Sequence, residues 1–101
     1  MGLTSAIGSY SRKQLQVSKM AHAISHPARI AILELLQQGD CTCNDIVNSL
    51  PLAQSTVSQH LKELQKAKLI FGTQLPPRTI YSINKPACAQ IQVLLNSFFV
   101  S

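Results

Sequence analysis

The sequence predicts a mainly α-helical domain that carries one small β-hairpin. Three observations predict it. A chain of 101 residues has the length of a single domain with one modest core. Apolar residues recur at helical spacing through five segments. Between Leu69 and Ile83 that spacing gives way to β-branched and aromatic residues on either side of Pro76-Pro77.

The segment from Met1 to Ser11 is small and polar with two glycines. It is expected to be a flexible arm, leaving residues 12–101 as the folded domain. From Arg12 to Ile24, the apolar residues Leu15, Val17, Met20, Ala21, Ala23 and Ile24 suggest a first helix. His26-Pro27 punctuates it. The residue before a proline avoids helical geometry, whereas proline is welcome at the first helical position. A second helix therefore starts near Pro27 and runs to about Gln38, with Gly39 as its stop. Ile30, Ala31, Ile32, Leu33, Leu35 and Leu36 make it apolar nearly all round, which marks it as the central buried helix.

Thr42-x-x-Asp45 has the form of a capping box and starts a third helix, with Ile46, Val47 and Leu50 as its core face and Pro51 as its end. A short turn leads into the segment from Ala53 to Ala67. There Val57, Leu61 and Leu64 form one narrow apolar stripe, and the other side is polar and cationic. Two short helices joined by a tight turn, the second basic on its outer face, make a helix-turn-helix. Leu69–Leu75 and Arg78–Ile83 follow as the strands of a hairpin, a candidate wing. A last helix starts at Asn84 to Pro86, with Ala87, Ile91, Leu94, Leu95, Phe98 and Phe99 as a broad apolar face.

The chemistry of the fourth helical segment points to DNA. Gln54, Ser55, Thr56, Ser58 and Gln59 are short polar groups that can reach base edges, and Lys62 and Lys66 can meet phosphates. His60 borders the apolar stripe and is a further candidate for a phosphate. Arg78, at the hairpin, is placed to reach a phosphate or the minor groove. The net charge is +5, and only two acidic residues, Asp45 and Glu63, lie between Cys41 and Ile80. Hydrophobic residues are 46% of the chain and charged residues 13%, which is too apolar for disorder and favours an oligomer.

Four ordered stretches resemble the ArsR/SmtB family of winged helix-turn-helix repressors. They are His26-Pro-Ala-Arg-Ile-Ala-Ile-Leu33, Ser55-Thr-Val-Ser-Gln-His-Leu-Lys-Glu-Leu64, Ala67-x-Leu-Ile70 and Ile80-Tyr-Ser-Ile83. The second is the most specific. The resemblance implies a homodimer held by the first and last helices, and operator DNA read by the second helix of the motif with the wings on flanking DNA. Leu15, Met20, Ile91, Leu94, Leu95, Phe98 and Phe99 are then the expected dimer interface. Three positions depart from the family pattern. Ala53 replaces the usual capping serine, Lys68 replaces the glycine that closes the recognition helix, and Pro76-Pro77 makes the wing tip stiffer and less basic.

Metal-sensing members carry Cys-x-Cys-Asp/Glu-Leu at the start of the third helix. Here Cys41-Thr-Cys43-Asn-Asp45-Ile46 places both thiols one residue early. One residue turns a helical side chain by about 100°, so the ligand role does not transfer directly. A tight site wants three or four ligands, and Cys88 is the only other thiol. No metal or other cofactor is expected. A sensor that uses Cys41 and Cys43 as metal or oxidant receptors is the alternative, and a winged-helix module that binds protein without reading DNA is a third reading. The last helix has no histidine or acid for the family's other metal site. His26 reads as a helix-start residue, and His22 has no evident partner. Four acidic residues, no phosphate-binding glycine loop and no nucleophile-base grouping argue against an enzyme. The N-terminus lacks the pattern of a secretory signal and no run reaches membrane-span length, so a cytoplasmic location is expected.

Overall fold

The structure, a computed structural model, describes residues 7–100. Its elements are α1 (Arg12–Ala23), α2 (Pro27–Gln38), β1 (Cys41–Thr42), α3 (Cys43–Ser49), α4 (Gln54–Lys66), β2 (Ile70–Leu75), β3 (Arg78–Ile83) and α5 (Lys85–Val100). Residues 1–6 of the expected arm lie outside the described residues. Its remainder holds a short 3-10 turn, Ile7–Ser9, and the cap of α1. None of the described helices is long and apolar enough to cross a membrane.

Helix starts follow their side chains. Ser11 and Gln14 form a capping box: the Ser11 hydroxyl accepts from the Gln14 N–H at 3.0 Å, and Gln14 Oε1 accepts from the Ser11 N–H at 2.8 Å. The His26 ring caps α2 by accepting the Ala28 N–H at Nδ1, 2.9 Å away, with Pro27 next in the first turn. Thr42 and Asp45 form the expected box for α3, at 3.1 and 2.9 Å. At α4 the cap position is Ala53 and no side chain serves it.

Helix ends are less uniform. Gly39 closes α2 in extended backbone, not in the left-handed conformation expected of a glycine stop. Lys68, by contrast, does take the left-handed conformation, with φ 64°. The Leu69 N–H reaches back to the Leu64 carbonyl at 3.0 Å and the Lys68 N–H to the Gln65 carbonyl at 2.9 Å. These two bonds are the Schellman pattern, formed here around a lysine. Asn84 holds the same corner. Its amide nitrogen donates to the Lys68 carbonyl at 2.8 Å, its backbone N–H donates to the Leu69 carbonyl at 3.0 Å, and its Oδ1 accepts from the Ala87 N–H at 3.3 Å to start α5.

The core joins Ile32 and Leu36 of α2, Ile46 of α3, Val57, Leu61 and Leu64 of α4, and Leu69 with Ile70 at the wing base. The anticipated α4 stripe is fully covered, and each such side chain contributes about 1.5–3 kcal/mol by burial. α2 is not buried all round. Its covered residues are Ala28, Ile32 and Leu36, one helical turn apart, and Ile30 on the other side is 44% exposed. A small domain has too few elements to enclose a helix completely.

The sheet is antiparallel with strand order β1-β3-β2. The hairpin registers Ile70 opposite Ile83 and Leu75 opposite Arg78, with Pro76-Pro77 between the strands. β1 was not anticipated. It pairs Cys41 with Tyr81 and Thr42 with Ile80, which ties the helix-turn-helix to the wing.

Candidate nucleic-acid interface

α4 lies with Val57, Leu61 and Leu64 on the core, so geometry dictates what its other side shows. Gln54, Ser55, Thr56, Ser58, Gln59, Lys62 and Lys66 are all exposed. Ser58 also touches α3 through Cys43, whose Sγ lies 3.7 Å from Ser58 Oγ. Along the surface of α4, Gln59 Nε2 donates to Glu63 Oε2 at 3.4 Å, and Lys66 Nζ sits 3.9 Å from the same oxygen. This exposed pair is weak and salt-screened. Both side chains can be redirected to a ligand at little cost.

Arg78 is exposed at the first position of β3. The Asp45 carboxylate is held below its ordinary pKa by the Thr42 N–H, then by the Thr42 side chain, and also by the Arg78 charge. The start of α3 and the base of the wing tip are thus electrostatically linked. The wing also exposes Phe71 and Leu75, at 52% and 57%.

His60 does not share the open face. It is half-buried in the seam between α4 and α2, where its Nδ1 accepts from Arg29 Nε at 3.1 Å. Its ring centroid is 4.5 Å from that of His26. Burial, then His26, then Arg29 push its pKa below the ordinary imidazole value. Arg29 also donates through Nη1 to the Ala23 carbonyl at 3.1 Å. Sequence reasoning missed Arg29. The available signal was its position as the lone cation in a largely apolar helix, where an unpaired charge is costly.

The three thiols are free. Cys41 is the first residue of β1 and its Sγ contacts the Gly39 carbonyl at 3.4 Å. Burial, then Asp45, then Asp40 raise its pKa, so it is held as a thiol and is a poorer metal ligand than a thiolate. Cys43 opens α3 against α4. Cys88 is on α5, near the Leu69 carbonyl, and burial raises its pKa too. Among the described residues no three histidines, cysteines or acids gather in a metal-binding group.

The α1–α5 side is the other open region. Lys13 Nζ donates to Ser97 Oγ at 3.0 Å, joining the two helices at one end. A groove of about 980 Å³ runs between them, lined in part by Met20, Ala23, Leu69, Ile91 and Leu94. α5 has no fully buried residue. Leu15, Met20, Ile91, Leu94 and Leu95 are half-covered, and Phe98 and Phe99 stand 45% and 76% exposed, with Val93 and Val100 beside them at 69% and 73%.

Known proteins share this arrangement. The profile of the bacterial regulatory protein family named for arsR matches residues 26–70, from the α2 cap to the first residue of β2. The transcriptional repressor PagR of Bacillus anthracis is 34% identical over 80 residues, 78% of this chain and 80% of PagR. The chain belongs to the ArsR family. Within that family, the transcriptional repressor SdpR of Bacillus subtilis is 37% identical over 62 residues, covering 61% of this chain and 69% of SdpR. The crystal structure of a possible transcriptional regulator for arsenical resistance superposes with a TM-score of 0.75 at 26% identity, over 82% of this chain and 86% of the other. The winged helix-turn-helix is therefore the fold of this ArsR-family regulator, with α3 and α4 as its motif and β2–β3 as its wing.

Proposed function

We propose that two copies of the chain, joined through α1 and α5, bind a palindromic operator and repress transcription from it. One observation carries the proposal: α4 turns a polar and cationic face outward while its apolar stripe is wholly buried. On this reading α4 enters the major groove. Ser55, Thr56, Ser58 and Gln59 read base edges, Gln54 lies at the helix entry, and Lys62, Lys66 and Arg78 bind phosphates.

The exposed apolar end of α5 supports a dimer. Val93, Phe98, Phe99 and Val100 are left uncovered by the protomer. Burial of apolar area yields about 25 cal/mol per Å², so covering several such side chains on two copies is a substantial driving force. No bound metal or cofactor and no catalytic role enter this function.

The test is selection of bound duplexes from a random pool, with sedimentation of the free protein at micromolar concentration. The expected result is a dimer and an enriched inverted repeat, its half-sites about one or two helical turns apart. A monomer with no enriched sequence would overturn the proposal.

A further inference from the structure

The function just proposed leaves unused a cluster that grips the recognition helix from behind. One guanidinium joins three elements. Arg29, near the start of α2, donates to the Ala23 carbonyl at the end of α1 and to His60 Nδ1 in the middle of α4, both at 3.1 Å. Beside it the His26 ring accepts the Ala28 N–H at 2.9 Å and lies 4.5 Å from the His60 ring, centroid to centroid.

In both rings Nδ1 is the acceptor, because the group opposite is an N–H donor. The His60 ring must then be neutral, with its proton on Nε2. Protonation would put an N–H on Nδ1, facing another donor. At His60 it would also place a cation against the Arg29 guanidinium. The titratable and charged groups acting on His60 are His26 and Arg29, and both disfavour its cationic form. Glu63, one turn along α4, is engaged by Gln59 and Lys66.

We propose that Arg29, His60 and His26 form a proton-sensitive seam that positions the recognition helix, so that acidification weakens DNA binding. The proposal rests on α4 being the DNA-reading helix. His60 is a positioning residue here, not a base or phosphate contact. The sign of the effect separates the two roles. Added positive charge ordinarily strengthens binding to polyanionic DNA. A His60 that met a phosphate would do the same. The seam acts in the opposite direction.

The linkage has the same sign. The folded His60 pKa lies below its unfolded value, so the unfolded chain binds more protons. The seam's contribution is complete above the ordinary imidazole pKa of about 6.5, and it is lost as pH falls through the lowered value.

The experiment measures the affinity for a duplex enriched in the selection above, at two pH values and constant ionic strength, alongside nitrogen NMR of the imidazoles in the free protein. From about pH 7.5 to about pH 5.5, the unaltered chain should lose affinity by less than the roughly tenfold that an imidazole of ordinary pKa would allow, with the loss growing as pH falls further. His26→Asn keeps a capping acceptor and removes one of the charges that disfavour a cationic His60, so it should bind normally at the higher pH and lose at least as much on acidification. His60→Asn keeps an acceptor near Nδ1 that cannot titrate, and its affinity should be nearly flat. The NMR spectrum should show the Nε2–H tautomer of His60 and a depressed titration. Affinity that rises on acidification, or an equal fall in His60→Asn, would overturn the seam. If no duplex is bound at either pH, the DNA-binding reading fails by itself. The seam is then decided by the spectrum, and an Nδ1–H tautomer or an ordinary titration of His60 would reject it.

Discussion

Gln59 and Lys62 stand on the same exposed side of α4, yet they would do different work there. A glutamine amide can pair with adenine through two hydrogen bonds, whereas a lysine ammonium meets any phosphate as a point charge. Gln59→Ala should therefore cost about 1–3 kcal/mol on the selected site and little on random DNA. Lys62→Ala should weaken both alike and make the salt dependence shallower by about one counterion. Titrations of both variants at two salt concentrations check this, and equal losses on selected and random DNA for Gln59→Ala would remove its reading role. The thiols give a second test at this scale. Cys41 is held protonated by burial and two carboxylates, and no third ligand gathers beside it among the described residues. Cys41→Ser with Cys43→Ser should leave DNA affinity, and its response to zinc or cadmium, unchanged. Stoichiometric binding of either ion that vanishes in the double variant and releases DNA would restore the sensor reading.

Both ends of α4 depart from the best local chemistry. Its start lacks a capping side chain at Ala53, and its end forces Lys68 into left-handed backbone. The two defects differ in size. A serine at position 53 would satisfy an orphan N–H and typically contributes about 0.5–2 kcal/mol. A glycine at position 68 would remove roughly 1–2 kcal/mol of steric cost but return about 0.4–1 kcal/mol as extra freedom of the unfolded chain. Ala53→Ser should therefore raise the urea midpoint more than Lys68→Gly, and the two gains should add because the sites lie at opposite ends of the helix. Asn84 explains how the strained corner is tolerated. It donates to the Lys68 carbonyl and caps α5 with the same side chain. That dual role was invisible beforehand, because Asn84 read only as a helix start and its partner lies sixteen residues away.

At the scale of the molecule, the protomer covers its core on the α2–α3–α4 side and leaves α5 open. Phe98 and Phe99 pack edge to face with ring centroids 5.1 Å apart, yet both remain exposed. Because they support little within the protomer, Phe98→Glu with Phe99→Glu should leave the fold and its thermal midpoint nearly intact. The pair should dissociate the dimer and weaken operator binding by at least tenfold, since one half-site alone lacks the second set of contacts. Sedimentation and titration of the same preparation read both effects. An unchanged dimer would move the interface elsewhere.

Local chemistry determined much of this protein. The capping box at Thr42 and Asp45, the stripe of Val57, Leu61 and Leu64, and the turn at Pro76-Pro77 each specify an element without help from distant residues. The helix-turn-helix, its wing and the outward groups of α4 were legible for that reason. Tertiary structure decided what depends on partners far along the chain. β1 is two residues long, too short for any alternating pattern, and exists because Tyr81 and Ile80 lie opposite it. Ile30 is exposed although its helix is apolar nearly all round, because no element covers that side. His60 is turned to α2 because Arg29, thirty-one residues earlier, donates to it. Periodicity reports which face of a helix can be buried, and only the packed chain decides which neighbour buries it.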